Sequence, residues 1–115
     1  MAFMFEDLTV YKKAMELVGK IFKLSKEIKD RIIKDQLCRA ALSIPLNLAE
    51  GNGRAHSRER RQYFYTARGS LLECIPILQL CKEIDFIEEA KYEELYLLAE
   101  EIGKMLSGLI KSIGE

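Results

Sequence analysis

The chain has 115 residues with 18 basic and 18 acidic side chains, so its formal net charge is zero. Apolar residues make up 49% and charged residues 31%, the balance of an ordinary globular domain, and two prolines are too few for a loop-rich chain. No apolar run approaches the ~18–20 residues of a membrane span.

One domain over residues 1–115 is expected. Met1 to Phe5 is apolar, but Glu6 and Asp7 follow at once, which is too short a run for a leader peptide. A cytoplasmic protein with no membrane partner is the expectation. The zero charge hides an asymmetry. Residues 1–70 carry 14 basic and 8 acidic side chains, and residues 71–115 carry 4 and 10. All seven arginines lie between Arg31 and Arg68. Such a chain can still present a basic face.

Helical period dominates, with no convincing alternation of a strand. The first helix is predicted from about Asp7 to Lys29, with Tyr11, Ala14, Met15, Val18, Ile21, Phe22, Ser25 and Ile28 inward. Val10, Leu17 and Leu24 form a second stripe beside it. The second helix is predicted from about Ile33 to Glu50, on Leu37, Ala41, Ile44 and Leu48. Pro45 inside it should bend it, and Gly51-Asn52-Gly53 should stop it in a left-handed turn. The third is predicted from Ser57, as N-cap, to about Ile84. Phe64, Ala67, Leu71, Cys74, Leu78 and Cys81 make its seam, and Pro76 should kink or break it. The fourth is predicted from about Glu89 to Ser112, on Leu95, Ala99, Ile102, Leu106, Leu109 and Ile113. Short connections make neighbours antiparallel. The expected fold is an all-α, up-down-up-down four-helix bundle with its second and third helices proline-kinked.

Motifs for chemistry are absent. His56 is the only histidine, and no E-x-x-H, G-x-S-x-G or phosphate-loop spacing occurs, so neither a metal nor another cofactor nor an enzyme is expected. Cys38, Cys74 and Cys81 have no C-x-x-C spacing and read as small apolar residues.

Three constellations remain. Arg58, Arg61, Tyr65 and Arg68 are spaced three, four and three. They fall on one stripe about 130° from the apolar seam, with Arg54, His56 and Arg60 beside it. Arginine grips phosphate and tyrosine offers a face to a base, so the strip suits RNA or DNA. A solvated face, or one paired with acids of a neighbouring subunit or partner protein, accounts for the same residues. Ser43, Asn47, Glu50, Ser70 and Glu73 form an inward polar group. They read either as a ligand pocket or as a hydrogen-bonded layer that fixes register. Leu17, Leu24, Leu72, Ile75 and Leu97 exceed what one bundle core absorbs and are expected between subunits of a homo-oligomer.

Phe5-Glu6-Asp7-Leu8 with Val10 and Tyr11 opens the chain. Gln36-Leu37-Cys38-Arg39-Ala40-Ala41 leads into Ser43-Ile44-Pro45-Leu46-Asn47-Leu48-Ala49-Glu50-Gly51. Gly69-Ser70-Leu71-Leu72-Glu73 and Met105-Leu106-Ser107-Gly108-Leu109-Ile110 follow. On these segments the chain resembles the bacterial 23S rRNA intervening-sequence proteins, a family that includes the accessory protein of diversity-generating retroelements. It departs from them at a shorter Lys29–Asp35 connection and at Pro76. The resemblance implies an antiparallel bundle assembled as a homopentamer around a pore, with a nucleic-acid-associated role and no catalysis. Members occur inside inserts of large-subunit rRNA genes or beside a reverse transcriptase that the barrel binds. The retroelement protein is strongly basic and this chain is not, so that activity is not carried over. Arg54, Arg58, Arg61 and Arg68 are carried as phosphate contacts, and Asn47, Glu50 and Glu73 as the structural layer.

Overall fold

A computed structural model describes residues 3–113. Met1 and Ala2, in the short apolar start, and Gly114 and Glu115, at the end of the expected domain, lie outside the described residues. A 3-10 turn at Met4–Asp7 precedes four helices: α1 (Thr9–Ser25), α2 (Arg31–Asn52), α3 (Ser57–Glu83) and α4 (Glu89–Ile113). There is no strand among the described residues.

The first helix is shorter than its sequence pattern. Leu8 is extended, so Glu6 and Asp7 belong to the 3-10 turn, where Glu6 accepts from the Phe3 N–H at 2.9 Å. At the other end the Ser25 hydroxyl donates to the Phe22 carbonyl at 2.6 Å, one of the local bonds that compete with helix continuation. Asp30 then caps α2 by accepting from the Ile33 N–H at 2.9 Å, satisfying an otherwise orphaned donor.

The inward face of α1 also differs. Val10, Ala14, Leu17, Val18, Ile21 and Leu24 are buried, whereas Met15 and Phe22 are exposed. The core therefore takes the second stripe together with Ala14, Val18 and Ile21 of the first, because α1 must face α2 and α4 together. In α2, Leu37, Ala41, Ile44 and Leu48 are fully buried, as is the whole Phe64–Cys81 seam of α3 apart from a trace of Leu71. In α4 the seam is Leu95, Ala99, Ile102, Leu106 and Ile110, with Leu109 and Ile113 only half-buried.

Each helix packs on two neighbours in the cyclic order α1, α2, α3, α4. Residue number rises along one partner as it falls along the next. Gly51 meets Phe64 while Ser43 meets Ser70; Leu71 meets Gly103 while Arg68 meets Ser107. Lys13 meets Glu101 while Lys20 meets Glu94.

The ends of the helices correct two further expectations. Helix α2 continues through Gly51 and Asn52, and Gly53 caps it at φ −85°, not in the left-handed region. The N-cap of α3 is His56, and Ser57 is its first helical residue. The left-handed residue is Asp85, at φ 62°. There the Phe86 N–H donates to the Cys81 carbonyl at 2.8 Å and the Asp85 N–H to Lys82 at 3.1 Å, a Schellman closure of α3. An aspartate tolerates this conformation better than a branched residue does. Both prolines lie in helices that continue past them, with Pro45 buried and Pro76 exposed.

The opposed charge of the two sequence halves is partly matched within the chain. Lys20 donates to Glu94 at 2.7 Å, and Lys13 lies 3.7 Å from Glu101. The hydrogen bond and charge of Lys20, with Lys91 behind them, hold the Glu94 carboxyl below its ordinary value of 4.5. Glu94 in turn raises Lys20. The stabilisation from Glu94 is complete above its unfolded value and is lost as pH falls through the lowered folded one. Lys20→Met should therefore reduce the drop in melting temperature between neutral and strongly acid pH. An acid limb identical to that of the unsubstituted chain would count against the pairing. The effect is small, since both groups are largely in water.

Candidate nucleic-acid interface

Residues 58–68 of α3 carry the arginine strip. Arg58, Arg61 and Tyr65, with Gln62 and Thr66, line an open surface hollow of about 400 Å³. Arg58 is exposed and Arg61 half-buried. The guanidinium of Arg68 stands over the Tyr65 ring at 5.3 Å and also reaches Ser107 at 3.4 Å. Half of the Tyr65 surface remains exposed. Arg58, Arg61 and Tyr65 thus share one hollow, and Arg68, at the edge of the α3–α4 groove, joins them through the Tyr65 ring.

Arg54 stands apart. It donates to Glu50 at 2.7 Å and to the Tyr63 hydroxyl at 2.9 Å, with its guanidinium 4.8 Å from the Tyr63 ring centre. Tyr63 and then Glu50 hold it still further above its ordinary range. This arginine ties the end of α2 to the start of α3. His56 and Arg60 flank the strip at the helix start, His56 exposed and Arg60 half-buried.

The polar layer is smaller than expected. The hydroxyls of Ser43 and Ser70 lie 2.8 Å apart across the α2–α3 contact. The Asn47 amide donates to the Ser43 carbonyl at 2.8 Å and to its hydroxyl at 2.9 Å. Glu50 and Glu73 are exposed, so neither belongs to it. Glu50 is drawn outward by Arg54 one turn on, and a carboxylate inside would need a charged partner that the layer lacks. The remaining three groups, Ser43, Asn47 and Ser70, bond to one another where α2 meets α3.

The apolar surplus is likewise redistributed. Leu17 and Leu24 are buried within the single chain and are withdrawn from any subunit surface. Leu72 and Leu97 are 60% exposed, and Ile75 is half-buried. Leu72 and Ile75 join Pro76, Tyr96, Ala99 and Gly103 in a groove of about 790 Å³ between α3 and α4, edged by Arg68, Glu100 and Lys104. Met15 and Phe22, expected inward, are exposed, as are Leu42 and Leu46, which periodicity did not single out.

The groups that could do covalent or metal chemistry are sparse. Cys74 is buried, and loss of hydration pushes its thiol up to about 12; burial also raises Cys81. Both thiols stay protonated and unreactive. Among the described residues no three His, Cys, Asp or Glu side chains are grouped to hold a metal ion. No helix is long and apolar enough to cross a membrane.

A four-helix fold with an arginine–tyrosine strip at one end defines a small helical-bundle protein. The family model described as 23S rRNA-intervening sequence protein matches residues 6–108, and the chain belongs to that family. The fold is similar to the 1.70 Å crystal structure of a protein with unknown function from the S23 ribosomal protein family of Bacteroides thetaiotaomicron. The TM-score is 0.86 at 24% identity, covering 90% of this chain and 99% of that one. No curated protein matches the chain.

Proposed function

We propose that the chain works without catalysis, as a homo-oligomeric bundle that associates with RNA or DNA through Arg58, Arg61, Tyr65 and Arg68. The observation that carries this reading is the clustering of Arg58, Arg61 and Tyr65 around one open hollow, with the Arg68 guanidinium on the tyrosine ring. The family name, which refers to an intervening sequence of 23S rRNA, agrees with a nucleic-acid setting. A rival reading pairs the strip with acids of a neighbouring subunit, and α1 already takes two of those acids. Lys13 and Lys20 already engage Glu101 and Glu94 within the chain. Exposed Leu72 and Leu97, with the α3–α4 groove, supply apolar area for contact between copies. The resemblance suggests five copies, and repetition would gather the strips into a basic ring.

The test is fluorescence anisotropy of a labelled RNA hairpin titrated with protein over a range of salt. Binding should weaken linearly in log–log coordinates, as counterion release requires. Arg58→Glu with Arg68→Glu should cost more than about tenfold in affinity and flatten the salt slope by roughly 2. Absence of binding at low salt would sink the reading. Light scattering on the same samples gives the mass of the assembly against the 13.2 kDa chain.

A further inference from the structure

From the hollow beside Tyr65 we infer that the strip takes an unpaired nucleotide of a single strand, with the base stacked on the Tyr65 ring. This rests on the nucleic-acid reading above and names the form of the ligand. A duplex offers only phosphates and groove edges to an exposed helix face, because its bases are already stacked on one another. A free aromatic face rewards only a base that has left its stack.

The geometry supplies each part. Arg68 covers one side of the Tyr65 ring at 5.3 Å, no other ring packs on it among the described residues, and half of the side chain is in water. Arg58 lies seven residues earlier, about 10 Å along the helix, and Arg68 three residues later, about 4.5 Å. A base on the open face thus has Arg58 in the same hollow for its backbone, with Arg68 behind the ring. Gln62 lines the same hollow. It carries both a donor and an acceptor for a Watson–Crick edge. Thr66 already donates to the Gln62 carbonyl at 3.0 Å, which leaves its oxygen to accept. The hollow, about 400 Å³, lies within the ~300–1,000 Å³ of small-ligand sites.

The test compares a labelled ten-nucleotide single-stranded uridine RNA with a blunt RNA duplex of equal phosphate number, at one low salt concentration. Tyr65→Ala should weaken the single strand by about tenfold and leave the duplex nearly unchanged. Tyr65→Phe, which keeps the ring, should restore single-strand affinity. Arg58→Glu should weaken both probes. Equal loss on both probes with Tyr65→Ala, or no loss on either while binding persists, overturns the stacked nucleotide and leaves a backbone-only contact. Failure of both probes to bind the unsubstituted chain overturns the parent reading instead. Circular dichroism confirms that the exposed substitution leaves the helices intact.

Discussion

Phe64→Ala should lower the unfolding free energy by about 3–5 kcal/mol. Phe64 is fully buried where α2 and α3 approach most closely, and its ring fills the space left by the missing side chain of Gly51. Deleting the ring removes its transfer energy and leaves a void that two long helices cannot easily close. A native domain holds only about 5–15 kcal/mol in total. The variant should therefore unfold at a much lower urea midpoint with little change in slope. The comparison is made at fixed protomer concentration, since assembly would add to the apparent stability. A loss below about 1 kcal/mol would mean that the α2–α3 contact is looser than described.

The second large effect turns on one methyl group. Gly51→Ala places a Cβ 2.7 Å from the Phe64 ring and 2.9 Å from the Tyr63 Cβ. The Tyr63 Cβ moves only with the backbone of α3, and the Phe64 ring is enclosed. Overpacking of this kind costs about 1–3 kcal/mol. Alanine returns part of it, since glycine inside a helix is worse by about 0.5–1 kcal/mol. A net destabilisation of about 1–2 kcal/mol is expected. Gly19, on the exposed face of α1, has nothing within 4 Å of an added Cβ. There the same substitution should stabilise by about 0.5–1 kcal/mol. Opposite signs from one chemical change, read by urea titration, test the close approach directly. Adding Phe64→Leu to Gly51→Ala should give a loss smaller than the sum of the two, because the residues share one space. Additivity would mean that they do not touch.

The seam of α3 was readable from spacing alone, because Phe64 to Cys81 offers a single apolar stripe. Helix α1 offers two adjoining stripes, Val10–Leu17–Leu24 and a broader one from Tyr11 to Ile28, and the core takes the first with Ala14, Val18 and Ile21 of the second but not Met15 or Phe22. Where the inward arc ends depends on where α2 and α4 stand, and no local period contains that. Glu50 shows a different limit. Its spacing from Asn47 fits an inward position, but Arg54 lies one turn further on and takes it outward. The bonds of Lys13 and Lys20 to α4 join residues far apart in sequence, so the charge totals of the halves could not disclose them. The strip itself was readable because its members lie on consecutive turns of one helix. The stacking of Arg68 on Tyr65 follows from that same closeness.

The arginines of the strip sit in the first half of α3, while at its other end Glu83, Asp85, Glu88 and Glu89 share the molecule's opposite end with the basic residues of the α1–α2 turn, in a molecule 44 Å long. With zero net charge, the chain lacks a monopole to draw a polyanion from afar. What it has is a local patch of positive charge, whose field fades faster with distance and is cut off within about 8 Å at physiological salt. The field therefore cannot hasten arrival much. It exerts a torque, turning the arginine end toward a polyanion already close by. For such a molecule charge governs the angle of approach more than the rate of encounter.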